Sequence, residues 1–432
     1  MKRPTLAVLL AMTATLILGA CSETNGASKE PSAGPVTLRF TWWGGDERHK
    51  RTQQVIDLFT KDHPNITIKG EFKDWNGYWD SLSTTVAARN APDIVQMDEL
   101  YIATYAQRGA LLDLGTTSKY VNTGDVDGKA LATGMVNGKQ YGIPAGIGAY
   151  SIVTNVDLLG KYGIPVPDDS TWTWDDLERI GEQVSKASGG KVTGVQSWGF
   201  NDTGGLNIWA RQAGASLYDD KGNVAIPENV LARYWSYLAD LAKSGAAPPP
   251  SVTVERAKAG LSQSGTATNT SVFATWWNTQ LTALSAASGS TLRLLRLPGE
   301  GRAATPAAFY KPSMYWAISS TSAHPAEAAM FIDFLVNNQV ANDILLTERG
   351  VPVNAKVRTA IAGKLTATDK AAVAYLDTIR VSDPPRVTPK GGSTIETILS
   401  RHTEDVLFGR ATPEQAARAF IAELQAEIDS AS

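Results

Sequence analysis

The sequence predicts an α/β fold. Three observations carry that reading: strand-like and helix-like patterns alternate from residue 36 onward, the first strands end in tryptophans and carboxylates, and the length exceeds one core. At a typical size of roughly 150 residues per domain, 432 residues divide into two or three units. Val36, Leu38, Phe40 and Trp42 alternate with Thr37, Arg39 and Thr41, the period of a strand. Trp43-Gly44-Gly45 follows as a loop, and Asp46 opens a helix carrying Val55, Ile56 and Phe59 at helical spacing, with acidic residues at its start. His63-Pro64-Asn65 stops that helix. A second strand runs through Ile66 and Ile68, a second helix spans Trp75 to Ala88, and a third strand covers Ile94–Met97, ending in Asp98-Glu99. Such β-α-β alternation implies a mainly parallel sheet.

In open α/β sheets, ligands sit beyond the carboxyl ends of the strands. Here those ends carry Trp42-Trp43, Glu71 with Trp75, and Asp98-Glu99. Aromatic planes beside carboxylates suit a carbohydrate, whose C–H face packs on a ring while its hydroxyls seek planar donors and acceptors. Further along, residues 138–155 mix strand character with Gly142, Gly146 and Gly148, the pattern of a hinge crossing. Thr173 is an N-cap for a helix beginning Trp174-Asp175-Asp176. Pro248-Pro249-Pro250 is a break, Ala323 to Leu346 is helical, Arg349–Asn354 is a turn, and Pro413 to Asp429 is an amphipathic helix.

Composition narrows the function classes. A net charge of −3 with mixed signs offers no basic footprint for nucleic acid. One cysteine excludes a disulfide framework and a Cys-ligated zinc site within the chain. Twelve Trp against four His favours flat aromatic surface over imidazole chemistry. The N-terminus reads as an export signal over residues 1–20: Lys2 and Arg3, then an apolar stretch from Leu6 to Leu18, then Gly19 and Ala20. The lone Cys21 closes the tetrad Leu18-Gly19-Ala20-Cys21, which resembles the bacterial lipobox and implies lipid on that thiol. Two acyl chains suffice for stable anchoring. Residues 21–35 are then a polar tether with a span of about 20 Å as a flexible coil.

Several segments together resemble the extracellular (family 1) solute-binding proteins of carbohydrate ABC transporters, the group containing maltose-binding protein. They are the lipobox and tether, the first strand ending in Trp-Trp-Gly, Ala91–Asp98, Arg108–Leu114, Gly138–Pro144, Asn155 with Asp157-Leu158-Leu159, His324–Ala329 and the Arg349–Asn354 turn. The resemblance implies a two-lobe periplasmic-binding-protein-like fold (type II) with a hinge between lobes. Lobe one would take residues 36–146 and 310–348, and lobe two residues 150–309 and 352–432. It further implies substrate-binding candidates Trp42, Trp43, Asp46, Glu47 and Arg48 at the first strand end. Trp75 and Trp79 follow the second strand, and Asp98 and Glu99 end the third. From the other lobe, a small-residue strand Gly265–Thr268 would lead to Trp276 and Trp277, with Tyr150, Trp209, Tyr315, Trp316 and Arg349 completing the set. Neighbours on a strand face opposite ways, so one of each adjacent pair should reach the ligand. Exchange of Trp42 and Trp43 together for alanine is expected to abolish binding with little loss of stability.

The expected function is a lipid-anchored receptor on the outer face of the cell membrane. It captures a di- or oligosaccharide and delivers it to an ABC permease with an ATPase behind it. It acts as a monomer and not as an enzyme, without cofactor, metal or nucleic acid. Capture of a peptide or another solute is the alternative, and a secreted glycosidase a more distant one. The latter needs two carboxylates about 5–9.5 Å apart across one bond, which the sequence neighbours Asp98 and Glu99 do not supply. No G-x-S-x-G, phosphate loop or H-E-x-x-H is present. His49, His63, His324 and His402 read as surface or helix-end residues, and Asp125–Gly128 as a turn, not a calcium loop.

Overall fold

A computed structural model describes residues 30–196, 202–257 and 261–431. The export signal, Cys21 and Trp198 lie outside those residues. The strands, in chain order, are β1 (Val36–Trp43), β2 (Ile66–Lys73), β3 (Ile94–Met97), β4 (Met135–Val136), β5 (Lys139–Gln140) and β6 (Ile143–Gly148). Then come β7 (Tyr150–Asn155), β8 (Thr193–Val195), β9 (Ser271–Trp277), β10 (Leu292–Leu295) and β11 (Lys311–Ile318). Two main sheets result, ordered β2-β1-β3-β11-β6 and β10-β7-β9-β8, beside a β4-β5 ribbon.

The alternating pattern of the N-terminal strand settles its register. Val36 pairs with Ile66 and Trp43 with Lys73, all in parallel, and Phe40 faces Ile94 of β3. The parallel rule then fails: β11 runs antiparallel to both β3 and β6, and in the second sheet β8-β9 is parallel while β7-β9 and β10-β7 are antiparallel. The cause is connectivity. β6 and β11 belong to segments that pass between the sheets, so they do not follow the strand-helix-strand return that enforces parallel order.

β6 and β7 form one crossing, separated only by Ala149, whose N–H donates to Asn278 Oδ1 at 2.8 Å. The glycines here serve close approach more than rotation. A Cβ on Gly146 would lie 2.1 Å from the Arg349 carbonyl oxygen, because a further crossing segment lies against it through the Ile147–Val351 bridge.

Helices cover both sheets. Leu38, Phe40 and Trp42 pack with Phe59 of the helix Asp46–Asp62 and Phe331 of the helix Pro325–Asn337. Beneath the second sheet lie Trp172, Leu177, Leu241 and Phe273. A separate helical layer packs Trp235, Leu399 and Phe420 from the helices Glu228–Ser244, Ile395–Leu407 and Pro413–Ala431. Each such large apolar side chain contributes about 1.5–3 kcal/mol on burial. Thr173 caps its helix as expected, in a reciprocal box with Asp176.

Some local expectations change. The helix expected over 323–346 breaks at Asn338, which ends Pro325–Asn337 and caps Gln339–Leu345 by accepting from the Ala341 N–H. Gly265–Thr268 is not strand. Ser264 accepts from the Ala267 N–H and holds a turn, a conformation that serine and threonine favour, and β9 begins at Ser271. His402 is buried against Trp235 and Phe420, with Glu423 Oε2 3.1 Å from its Nε2. The end of the tether is docked: the Ser32 N–H donates to Glu327, and Glu30 meets Lys119 and Tyr120.

Candidate functional site

The β1 and β3 ends build one wall of a cleft between the sheets. Strand alternation divides each neighbouring pair. Trp42 is fully buried in the core, between Phe40 and His49, while Trp43 turns to the other face. There its ring meets Trp75 edge-on at 5.0 Å, Tyr78 at 5.2 Å and Trp79 at 5.7 Å. Tyr101 joins them 4.0 Å from Trp79. Trp75 is the exposed member of this platform, at 39%. Asp74 holds it in place by capping the helix Trp75–Ala87 through the Gly77 N–H at 2.7 Å.

Arg48 braces the same strand end, donating to the Trp43 carbonyl at 3.0 Å and pairing with Glu348 at 2.5 Å. Arg349 is buried with its guanidinium over Trp316, donating to Thr52 at 2.8 Å. These arginines thus tie helix to sheet, and Trp316 belongs to the core. Asp46 is exposed in the first turn of its helix, and the Glu47 side chain lies outside the described part.

The opposite wall comes from β7, β9 and the helix Thr203–Gln212. Trp277 meets Tyr150 edge-on at 4.3 Å, and the Tyr150 hydroxyl donates to Asp202, the cap of that helix. Gly204 makes room for the indole: a Cβ there would lie 2.7 Å from Trp277. Trp276 turns to the far face, where its Nε1–H donates to Thr266 at 3.1 Å. Trp209 packs among Trp174, Tyr234 and Tyr237, with its Nε1–H on the Val230 carbonyl at 3.1 Å. Trp42, Trp209, Trp276, Trp316 and Arg349 are therefore placed in packing layers, whereas Trp75, Trp79, Asp98, Glu99 and Trp277 are gathered around the cleft, with Trp43 and Tyr150 buried beneath them.

Between the walls stands Lys311, at the start of β11. Its Nζ pairs with Glu99 at 2.7 Å and lies 5.5 Å from the Trp277 ring centre. Removal from water opposes the charge on this ammonium, yet Glu99, Asp98 and Asp202 outweigh it and hold its pKa above the ordinary lysine value. Burial raises the Glu99 carboxyl in turn, against the pull of Lys311. Glu396, from the helix Ile395–Leu407, reaches the same cluster. Burial, then the charges of Asp202 and Glu99, push its carboxyl up to about 7. Tyr101 on the first wall has its hydroxyl raised above the usual tyrosine range by burial first, then by Asp98 and Glu396.

A slot of about 50 Å³ lies between them, lined by Glu99, Gly204, Tyr218, Trp277, Tyr315 and Val387 among others. It adjoins a wider groove of about 540 Å³ that shares Thr133, Pro385, Arg386 and Val387. Tyr315 lines the slot with its hydroxyl already committed to the Thr133 carbonyl at 2.8 Å. Sequence reasoning missed Lys311, Asp202, Glu396 and Tyr101. No local motif marks them; their only signal is that the fold brings distant segments to one rim. Among the described residues, no group of three or more His, Cys, Asp or Glu has metal-holding geometry, and no helix is long and apolar enough to cross a membrane.

A family model described as bacterial extracellular solute-binding protein matches residues 54–374. The arabinooligosaccharide-binding protein of Bacillus subtilis is 25% identical over 248 residues, 56% of this chain and 55% of its own length. The match thus spans about half of that relative. The diacetylchitobiose binding protein DasA of Streptomyces coelicolor is 28% identical over 118 residues, covering 27% of this chain and 28% of its own. Among solved structures, the extracellular solute-binding protein family 1 from Alicyclobacillus acidocaldarius is 31% identical with a TM-score of 0.73, over 92% of this chain and 99% of that one. A periplasmic oligogalacturonide binding protein from Yersinia enterocolitica shares the fold at 23% identity and a TM-score of 0.77, over 91% of this chain and 99% of its own. Two mixed sheets joined by crossing segments are the type II periplasmic-binding architecture. With that fold and a family match over most of its length, the chain belongs to the bacterial extracellular solute-binding proteins.

Proposed function

We propose that this protein is the substrate-capturing component of an ABC importer, and that it takes a di- or oligosaccharide between its lobes. One observation carries the reading: the exposed Trp75 platform and Trp277 flank a cluster of carboxylates and an ammonium at the carboxyl ends of the strands. Rings supply flat apolar faces for pyranose C–H groups, and Asp98, Glu99, Asp202 and Lys311 supply the acceptors and donors its hydroxyls need. The oligosaccharide-binding relatives support the same ligand class.

The slot of about 50 Å³ would hold only a few waters, at roughly 10–15 Å³ of such volume each. A sugar therefore enters only if the lobes part. The lobes we assign are residues 36–146 with 310–348, and 150–309 with 352–432. The crossings at Ala149 and Val351 act as the hinge, and ligand shifts the population toward a closed form that a permease recognises. Lipid on Cys21 would hold this monomeric receptor at the outer face of the membrane. Binding without turnover is expected, in line with the relatives, which are binding proteins.

A thermal-shift screen of residues 22–432 tests the reading, with mono-, di- and oligosaccharides set beside short peptides and divalent metals. A ligand at a hundredfold excess over Kd stabilises the fold by about 2.7 kcal/mol. A shift with one sugar family, the sugar recovered unchanged, is the expected result. A response to peptides alone would replace it with peptide capture, and cleavage of the sugar would make the protein a glycosidase.

A further inference from the structure

We infer that the cleft selects a ligand carrying a positive charge, an oligosaccharide with a free protonated amine, and turns away uronic sugars. This rests on the carbohydrate reading and sharpens it. At the floor, Asp98, Glu99, Asp202 and Glu396 all act on Lys311, and the other cation lining the slot, Arg386, is taken up by Asp220. Glu99 is satisfied by its ion pair with Lys311, Asp202 by the Tyr150 hydroxyl and the Gly204 N–H, and Asp98 accepts from the Leu100 N–H at 2.9 Å. Glu396 accepts no hydrogen bond and forms no ion pair with any described residue. A carboxylate excess closed off between two lobes is costly unless it is paired. An ammonium group on the ligand supplies the missing charge and donors together.

A second observation points to a ligand at the same place. Tyr218 lines the slot and is 4% exposed, yet its hydroxyl has no hydrogen-bond partner among the described residues. Buried polar atoms are nearly always satisfied in native proteins, so an orphan hydroxyl on a slot-lining residue marks a position that a polar ligand fills. The adjoining groove is different in sign. Arg108, Lys221, Arg386 and Lys390 stand there against Asp219 and Asp220, with Arg386 paired to Asp220. Arg386 lines the slot as well but is held by Asp220, so the carboxylates without a cation of their own are those of the floor, where a ligand is stripped of water and charge discriminates most.

The test is a titration by thermal shift and calorimetry against matched sugars in three charge states. Chitobiose and chitotriose carry free amines, their N-acetylated forms are neutral, and digalacturonate and trigalacturonate are acidic; a panel of neutral gluco-, arabino- and galacto-oligosaccharides and a lysine-containing tripeptide run beside them. The aminated sugars are expected to bind at least tenfold more tightly than their acetylated partners, the uronates not at all, and Glu396→Gln to shrink the preference without lowering the unfolding midpoint near neutral pH. Binding of neutral sugars equal to or tighter than the aminated ones, or binding of a uronate, overturns the charge inference and leaves the carbohydrate reading standing. Silence from every sugar, with or without a response to the tripeptide, overturns both.

Discussion

Two aromatic clusters in this molecule look alike in composition and differ in what they leave unsatisfied. In the helical layer of the second lobe, the Trp174 Nε1–H donates to Gln212 at 2.8 Å, Trp209 to the Val230 carbonyl at 3.1 Å, and Trp235 to Thr403 at 2.8 Å. At the cleft, Trp75 stands exposed and the Trp79 Nε1–H has no partner. A tryptophan whose ring is packed and whose N–H is bonded is a finished structural element. One with an open face or an idle donor beside carboxylates is available to a ligand. Trp42 shows that an idle donor alone is insufficient: its Nε1 also lacks a partner, but the ring is sealed in the core, with Gly70 kept free of a Cβ to fit it.

The contrast can be broken most severely at Trp235. Trp235→Ala should cost about 3–5 kcal/mol by denaturant unfolding, the usual price of emptying a large buried aromatic site. Ligand affinity of the fraction that stays folded should be unchanged. The double exchange of Trp42 and Trp43 falls on this side of the comparison too, because Trp42 is core, and it should unfold the lobe and not merely silence binding.

A smaller effect separates the cleft by its charge. The Glu396 carboxyl sits near 7 in the folded chain, above its ordinary 4.5, through burial first and then Asp202 and Glu99. A raised acid binds its proton more tightly when folded. Its stabilising share is present in full below pH 4.5 and is lost as pH rises through about 7. The loss is on the order of 3 kcal/mol at 1.36 kcal/mol per unit. Unfolding midpoints followed across that window should fall with rising pH, and Glu396→Gln should flatten the slope.

Next in size, Trp75→Ala should weaken ligand binding by about 2 kcal/mol, the cost of losing an aromatic anchor. It should barely move the unfolding midpoint, since the ring is exposed. The smallest expected effect is at Thr173, whose capping box begins a scaffold helix. Thr173→Ala should cost about 1 kcal/mol of stability with no change in affinity, checked by unfolding and titration side by side.

What was legible in the sequence follows from range. β1, β2, β3 and their helices announce themselves because side-chain period and stop residues are local signals. The alternation that sends Trp43 beneath the Trp75 platform also sends Trp42 to the opposite face's core, and that choice needs the sheet's two faces to be known. Lys311 and Glu396 were invisible for another reason: they meet Asp98 and Glu99 only after the chain has crossed between lobes. Arg349 was visible as a turn residue, but its partners Thr52 and Glu348 make it a brace. The antiparallel entry of β11 was hidden likewise, since it depends on which lobe the preceding strand belongs to.

The most direct test of the account pairs Trp75 with Trp209, two tryptophans that sequence alone placed in one site. Calorimetric Kd and thermal midpoint are measured for Trp75→Ala and Trp209→Ala with the sugar that the screen identifies. The account predicts that Trp75→Ala loses at least tenfold in affinity at an unchanged midpoint, while Trp209→Ala lowers the midpoint and keeps its Kd. The reverse pattern, with affinity lost at Trp209 and kept at Trp75, would contradict it.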